Sequence, residues 1–483
     1  MSDQLSPDIR SYKLFVKKDC PTCELITSTT EAISAALGDR IKIFVQDDPS
    51  FLSHLPNTVD DSELESSYKD DITIVPTITI EGHPEVRIEG WDRVAWQKFF
   101  KEENAVPEIG VGLPNHKPGC GSKTLDAGMS EKLKLRYADP CQARKIELSD
   151  DEDDIESCFE RGWTDGLPVV PPTPLRVVRM LAGTDRDPSD VIGNIPPDNS
   201  PLNIEKLAIN AVMAGCKPEY MPLVIASVEA ALQEKFCMHG LLCTTYFSSP
   251  VMIINGPVAK HLNINSGVNA LGQGRRANAT IGRTLQLIIR NIGGGVPGGI
   301  DRAVMGNPGK YTYCFAEDES QKDWPTLAED QGYDRGKSVI SLFAGEGLQP
   351  ILDQQSRNPD SLSKSMANSL RAVVNTKLYG LADAILIVCP EHRRVFRQAG
   401  WKKSDLHEAI SKHLLIPGTA IARGVDGIAE GMPEKLKDRT LAKFRPGGLH
   451  IVTTGGTAGM FSAIISGWVA SGERGSQLVS QIL

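Results

Sequence analysis

No apolar run in this sequence reaches the roughly 20 residues that a membrane-spanning helix needs; the longest, such as 221–232 and 384–388, are far shorter or are broken by polar residues. No secretory leader is expected either, since residues 1–10 are polar, include Asp3 and Asp8, and have no apolar centre. Both absences make the cytosol the expected compartment and exclude a membrane as partner. Clustered Lys and Arg are also lacking. With 52 basic against 61 acidic side chains and a formal net charge of -9, the chain has no face that neutralises phosphates, which argues against nucleic acid as a partner.

What the chain does have is length and thiols. Its 483 residues exceed one ordinary core, so about two to four domains are expected. An apolar fraction of 40% is that of a globular protein. Ten cysteines behind no secretory leader do not read as a disulfide framework; in a reducing compartment thiols serve as core fillers, metal ligands or redox groups.

The first concentrated signal is Tyr12-Lys-Leu-Phe-Val16, which reads as a strand, followed by Cys20-Pro21-Thr22-Cys23 and a helical pattern over 24–37. A second strand is expected over 41–45, giving a βαβ unit, the setting in which C-x-x-C reads as redox chemistry rather than zinc binding. No second ligand pair lies nearby for a zinc site. At the start of a helix, unpaired N–H groups and the helix dipole favour a thiolate at Cys20, Lys17 and Lys18 add positive charge, and Pro21 stiffens the first turn. Cys23 is spaced to attack a mixed disulfide at Cys20.

Residues 72–80 are β-rich but contain Pro76, which is unusual within a strand. Val75-Pro76-Thr77, together with Cys20-Pro-Thr-Cys23, resembles thioredoxins and glutaredoxins, and the active-site form is similar to that of glutaredoxins. The resemblance covers residues 10–105. It implies a thioredoxin fold, a cis peptide at Pro76, packing of Pro76 against the dithiol and a substrate-facing role for Pro76 and Thr77. Gly90 and a helix over 91–103 would complete the unit.

Residues 106–160 are crowded with Pro and Gly and carry the acidic run Ser149-Asp-Asp-Glu-Asp-Asp154, and both features read as linker. Within that stretch Cys120 sits in a Gly-rich turn. Three readings stand for it: a partner of the dithiol, a metal ligand with His116, or an exposed linker thiol. Cys141 follows Pro140.

From about residue 162 the chain mixes helical and strand patterns with many glycines, as α/β units with loop-built sites do. A helix over 204–214 ends at Gly215-Cys216-Lys217-Pro218 before another helix over 219–233, so Cys216 is expected either as a second thiolate or as a small buried turn residue. Cys237, His239 and Cys243 fall within seven residues, with a strand expected from Leu241 onward. They read as a zinc site lacking a nameable fourth ligand, or with His239 as a general acid-base or substrate donor, or with His239 as an ordinary core or loop histidine. Gly272 to Arg283 places glycines and arginines before a helix running through Ile289, which suits an anion such as a carboxylate or phosphate. The spacing fits neither a P-loop nor a Rossmann fingerprint.

Several segments of this region are similar to a family of bacterial proteins grouped with the UGSC selenoproteins: Gly162-Trp-Thr-Asp-Gly-Leu-Pro168, Asn210 to Cys216, His239-Gly240, Asn255-Gly-Pro257, Arg276 to Arg283 and Gly306 to Lys310. That resemblance covers residues 155–483 and implies thiol or selenol redox chemistry. The naming motif has no plain equivalent, because Cys120-Gly-Ser-Lys123 has Lys in place of the second thiol and lies outside the shared region.

The expectation is therefore an α/β protein with a thioredoxin-fold unit over 1–105, a linker over 106–160 and a larger mixed α/β catalytic unit over 161–483, which can divide into two subdomains. Cys20 attacks, Cys23 resolves, Cys216 carries the sulfur adduct and His239 moves protons. Arg275, Arg276, Asn278, Thr280 and Lys310 bind a small anionic or sulfur-containing substrate. An external thiol or reductase supplies electrons, no cofactor beyond the dithiol is expected, and a homo-oligomer is left open. One alternative is a metal-dependent lyase or hydrolase with zinc on Cys237, His239 and Cys243. Another is a module that presents a client protein to the dithiol.

Overall fold

A computed structural model of the chain describes residues 10–101, 106, 108–469 and 475–483. The polar opening residues and the end of the helix expected over 91–103 lie in part outside the described residues. The protein is mixed α/β and divides into two compact units, Met1–Cys141 and Gln142–Leu483.

The first unit contains strands β1 (Tyr12–Val16), β2 (Ile41–Val45), β3 (Thr58–Asp60), β4 (Ile74–Val75), β5 (Thr77–Ile80), β6 (His83–Glu89), β7 (Trp91–Asp92), β8 (His116–Lys117) and β9 (Cys120–Gly121). Its helices are α1 (Pro21–Leu25), α2 (Thr27–Leu37), α3 (Glu65–Lys69), α4 (Arg93–Phe99) and α5 (Met129–Ala138). One sheet runs in the order β3-β2-β1-β5-β6. The β1–β2 and β2–β3 pairs are parallel, whereas β5 is antiparallel to both β1 and β6. The strand expected over 72–80 is split by Pro76, whose bond to Val75 is cis. Phe15 stacks on Phe44, and Trp91 meets Trp96 edge-on, all in one apolar core that includes Cys20 and Cys23. Burying a large apolar side chain of this kind contributes about 1.5–3 kcal/mol, so the core that seats the dithiol is also the main source of this unit's stability.

The linker expected over 106–160 is corrected. Residues 108–138 belong to the first unit, because β8 pairs with β7 and β9 with β4. Pro and Gly here serve close packing rather than a loose tether. Gly119 lies against Gly90, and a Cβ at 119 would come within 2.7 Å of the Val75 carbonyl. The acidic run ends as the N-terminus of the helix Asp154–Glu160, where the Asp153 carboxylate accepts the N–H groups of Ile155 and Glu156.

In the second unit a larger sheet follows the order Cys314–Ala316, Ser249–Asn255, Val339–Leu352, Phe461–Gly467, Ala382–Val388, Phe444–Thr453, with Val479–Ile482 paired to Val339–Leu352. The first two strands are parallel, as are the last two of that path; the pairs between them are antiparallel. Its outer strands meet, since the Asp318 N–H donates to the Thr453 carbonyl at 2.7 Å and the Thr454 hydroxyl donates to the Ala316 carbonyl. The sheet therefore curls, and Val251, Phe315, Phe343, Ile387, Val452 and Ile465 fill one shared core. The expected helices over 204–214 and through Ile289 are present as Ile204–Ala214 and Arg276–Asn291, and they pack together. No helix among the described residues is long and apolar enough to cross a membrane.

Candidate active site

The turn from β1 into α1 is fixed by Asp47, whose carboxylate accepts the backbone N–H groups of Lys18 and Asp19 at 2.8 Å each. Cys20 is then the N-cap of α1 with Pro21 at the first helical position, and its sulfur accepts the Cys23 N–H at 3.3 Å. Cys20 and Cys23 are each 1% exposed. The hydrogen bond from the Cys23 thiol is the largest influence on Cys20; burial opposes it, while the Cys120 thiol and the N–H groups of Cys23 and Thr22 reinforce it. Together they bring the Cys20 pKa down to about 5. Burial and the neighbouring Cys20 sulfur push Cys23 far up. These surroundings favour a thiolate at Cys20 and a protonated thiol at Cys23.

The lysines expected to assist are held elsewhere. Lys17 Nζ donates to the Gly121 carbonyl at 2.8 Å, and Lys18 pairs with Asp48 at 2.6 Å. Opposite the dithiol, the Val75 carbonyl lies 3.6 Å from the Cys20 sulfur. Pro76 is buried next to it, whereas the Thr77 hydroxyl donates to the Ile74 carbonyl at 2.8 Å and is occupied within its own turn.

Cys120 joins the site. Register places it opposite Val75, whose carbonyl lies 3.6 Å from the Cys20 sulfur, and its side chain packs against the core that holds Cys20. Burial, then the Cys20 sulfur, raises its thiol above the ordinary value. His116 is exposed in β8 opposite Asp92, so the pairing of His116 with Cys120 as metal ligands is not built.

In the second unit several expectations are corrected. Cys216 occupies the expected turn after Gly215, but it is 5% exposed and its sulfur lies 3.2 Å from the Thr284 hydroxyl. Burial raises its thiol despite Thr280, Thr284 and the charge of Arg276. It points into packed helices rather than toward a helix start, which removes the thiolate reading. The strand expected from Leu241 is instead the helix Met238–Cys243, because Met238, Leu241 and Leu242 bury one side of a helical turn. His239 and Cys243 are exposed and Cys237 is half-buried. Among the described residues no group of three or more His, Cys, Asp or Glu is arranged to hold a metal ion.

The expected anion-binding set is mostly engaged in structure. Arg276 donates to the carbonyls of Gly215 and Cys216, and the Asn278 amide donates to those of Asn265, Ala270 and Cys314. The Thr280 hydroxyl donates to the Arg276 carbonyl, and Lys310 pairs with Asp301 at 2.5 Å. Arg275 alone of the five stands exposed without a structural hydrogen bond of this kind, at the start of its helix. Two of the segments quoted for the second resemblance touch: Arg283 forms a two-pronged pair with Asp165 at 2.8 and 2.7 Å.

One site escaped the sequence reading. Cys389 follows the strand Ala382–Val388, caps the helix Pro390–Gln398 with Pro390 at its first position, and accepts the His392 N–H at 3.4 Å. His392 is fully buried between the Ser462 hydroxyl, 2.7 Å from Nδ1, and the Asp353 carbonyl, 2.9 Å from Nε2. Burial raises the Cys389 thiol, yet bonds from His392 and Ser462 outweigh it and leave the group below its ordinary value. For His392 burial lowers the pKa, but contact with Cys389 and the Asp353 carbonyl raises it by more and leaves it above its ordinary value. The signal was Cys389-Pro390-Glu391-His392 after a strand, the same local pattern as Cys20-Pro21-Thr22-Cys23 with His in the last place. Compared with family models, curated proteins and solved structures, the chain matches none of them.

Proposed function

We propose that this protein is a thiol–disulfide oxidoreductase whose first unit is a thioredoxin- or glutaredoxin-type module, with Cys20 as the attacking thiolate and Cys23 as a resolving thiol. The observation that carries this reading is the Cys20 sulfur accepting the Cys23 N–H while Cys23 is buried beside it. The β2-β1-β5-β6 order, with parallel β1–β2 and antiparallel β5, supports the same family resemblance. In the reaction Cys20 displaces one thiol from an organic disulfide, and a second thiol of the protein then displaces the other, leaving an internal disulfide that an external thiol or reductase reopens.

The second unit is proposed as the part that works on the sulfur-containing substrate. Cys389, set against His392, is the thiol in that unit whose surroundings favour a thiolate, and it takes the place first given to Cys216. The test is reduction of a small disulfide by the full chain with an external thiol as electron source. Cys20→Ser should abolish it, and replacing Cys23 and Cys120 together with Ser should lengthen the life of an adduct on Cys20, identified by mass spectrometry. Undiminished turnover in Cys20→Ser contradicts the proposal.

A further inference from the structure

Three thiols meet at the first unit's site, and the third arrives on a segment anchored on both sides of the dithiol turn. Lys117 Nζ donates to the Pro21 carbonyl at 3.0 Å, and the Thr22 hydroxyl donates to the Pro118 carbonyl at 2.7 Å. On the far side Lys17 holds the Gly121 carbonyl, and the Ser122 hydroxyl and the Lys123 N–H both donate to the buried Gln46 side chain. Residues 116–123 thus form a strap across Cys20-Pro21-Thr22-Cys23, with Cys120 packed against the core that holds Cys20 and paired with Val75, whose carbonyl lies 3.6 Å from the Cys20 sulfur. Cys20 and Cys23 are sealed, whereas Cys120 is partly exposed.

We propose that Cys120 is a second resolving thiol, carried on this strap, that competes with Cys23 for a mixed disulfide at Cys20. The inference rests on the dithiol reading of Cys20. When the Cys20 thiolate attacks an organic disulfide, the new bond is Cys20–S–S–R, and the other half leaves as a thiolate that takes a proton from water. Forming that bond removes the negative charge on Cys20, and with it one influence that keeps protons on both Cys23 and Cys120. Burial remains, and it weighs more on Cys23, which lies in the core, than on Cys120, which is only partly buried. Cys120 then attacks Cys20, its proton passes to the departing R–S⁻, and a Cys20–Cys120 disulfide results. The substrate disulfide gains two electrons as two thiols, and the protein loses two. Exchange with Cys23 afterwards moves the bond to Cys20–Cys23 and frees Cys120, with no change in electron count.

The test uses the full chain and glutathione disulfide as the probe. In Cys23→Ser, treatment followed by alkylation and peptide mapping should yield a peptide cross-linked between Cys20 and Cys120. In Cys120→Ser, with Cys23 intact, the Cys20–glutathione adduct should decay about tenfold more slowly, the order expected when the more accessible of two attacking thiols is lost. A Cys20–glutathione adduct that persists in Cys23→Ser with Cys120 alkylated overturns this inference and leaves the dithiol reading standing. If Cys20 forms neither an adduct nor a cross-link in either variant, both are overturned.

Discussion

The Cys20 sulfur accepts the backbone N–H of Cys23 at 3.3 Å. That bond, the Cys23 thiol and the Cys120 thiol all favour the ionised form of Cys20, and a preference for one ionisation state couples stability to pH.

The folded pKa of Cys20 is lowered to about 5 from an ordinary 9.0. Between those values the unfolded chain binds a proton that the native chain does not, so stability rises with pH across that window and is lost as pH falls through about 5. The raised pKa of Cys23 acts in the opposite sense above the ordinary thiol range, where the unfolded chain gives up a proton that the native chain keeps. Hydrogen exchange in the Tyr12–Val16 strand of the reduced protein should therefore slow from pH 5 toward 8, after correction for intrinsic exchange. In Cys20→Ser that trend should flatten.

The strap depends on a close backbone approach at Gly119. A Cβ there would come within 2.4 Å of the Ile74 side chain and 2.7 Å of the Val75 carbonyl. Gly119→Ala should cost about 1–3 kcal/mol, as overpacking of a tight contact does, and should displace the strap from Cys20. The expected readout is faster alkylation of Cys20 at pH 7 with the pH midpoint moved upward, because the Cys120 thiol no longer supports the Cys20 thiolate.

In the second unit the Asp165–Arg283 pair is nearly buried, with side chains 11% and 14% exposed. Removing one partner leaves the other without its counter-charge, so Asp165→Ala should lower stability by about 3–5 kcal/mol. Arg275→Ala, on an exposed position, should stay within about 0.5 kcal/mol of the parent. Denaturant midpoints of the two variants test the division of that arginine-rich segment into structural and free members.

Much of the first unit was legible because its signals are local. Apolar alternation marked Tyr12–Val16 and Ile41–Val45, and a cysteine followed by proline marked the start of α1. The place of Cys120 beside the dithiol was one of three open readings and could not be singled out, since Pro and Gly around it gave the composition of a tether, while the pairing that uses them, Val75 with Cys120, spans a long stretch of chain. In the second unit, arginines and glycines before Arg276–Asn291 matched an anion site in composition. Whether Arg276 faces a ligand or the Gly215 carbonyl depends on tertiary packing that spacing does not encode. Leu241 and Leu242 were ambiguous for the same reason, because a short apolar run fits a strand or a buried helical turn equally well. Cys389 carried a readable local pattern, but its partner Ser462 lies on a strand distant in sequence.

The most direct test of the account is the rate at which Cys20, assigned by peptide mass spectrometry in the full reduced chain, reacts with iodoacetamide as pH is varied. The account predicts a midpoint near pH 5, however slow the absolute rate under the strap. A midpoint near pH 9, that of an ordinary thiol, would contradict it.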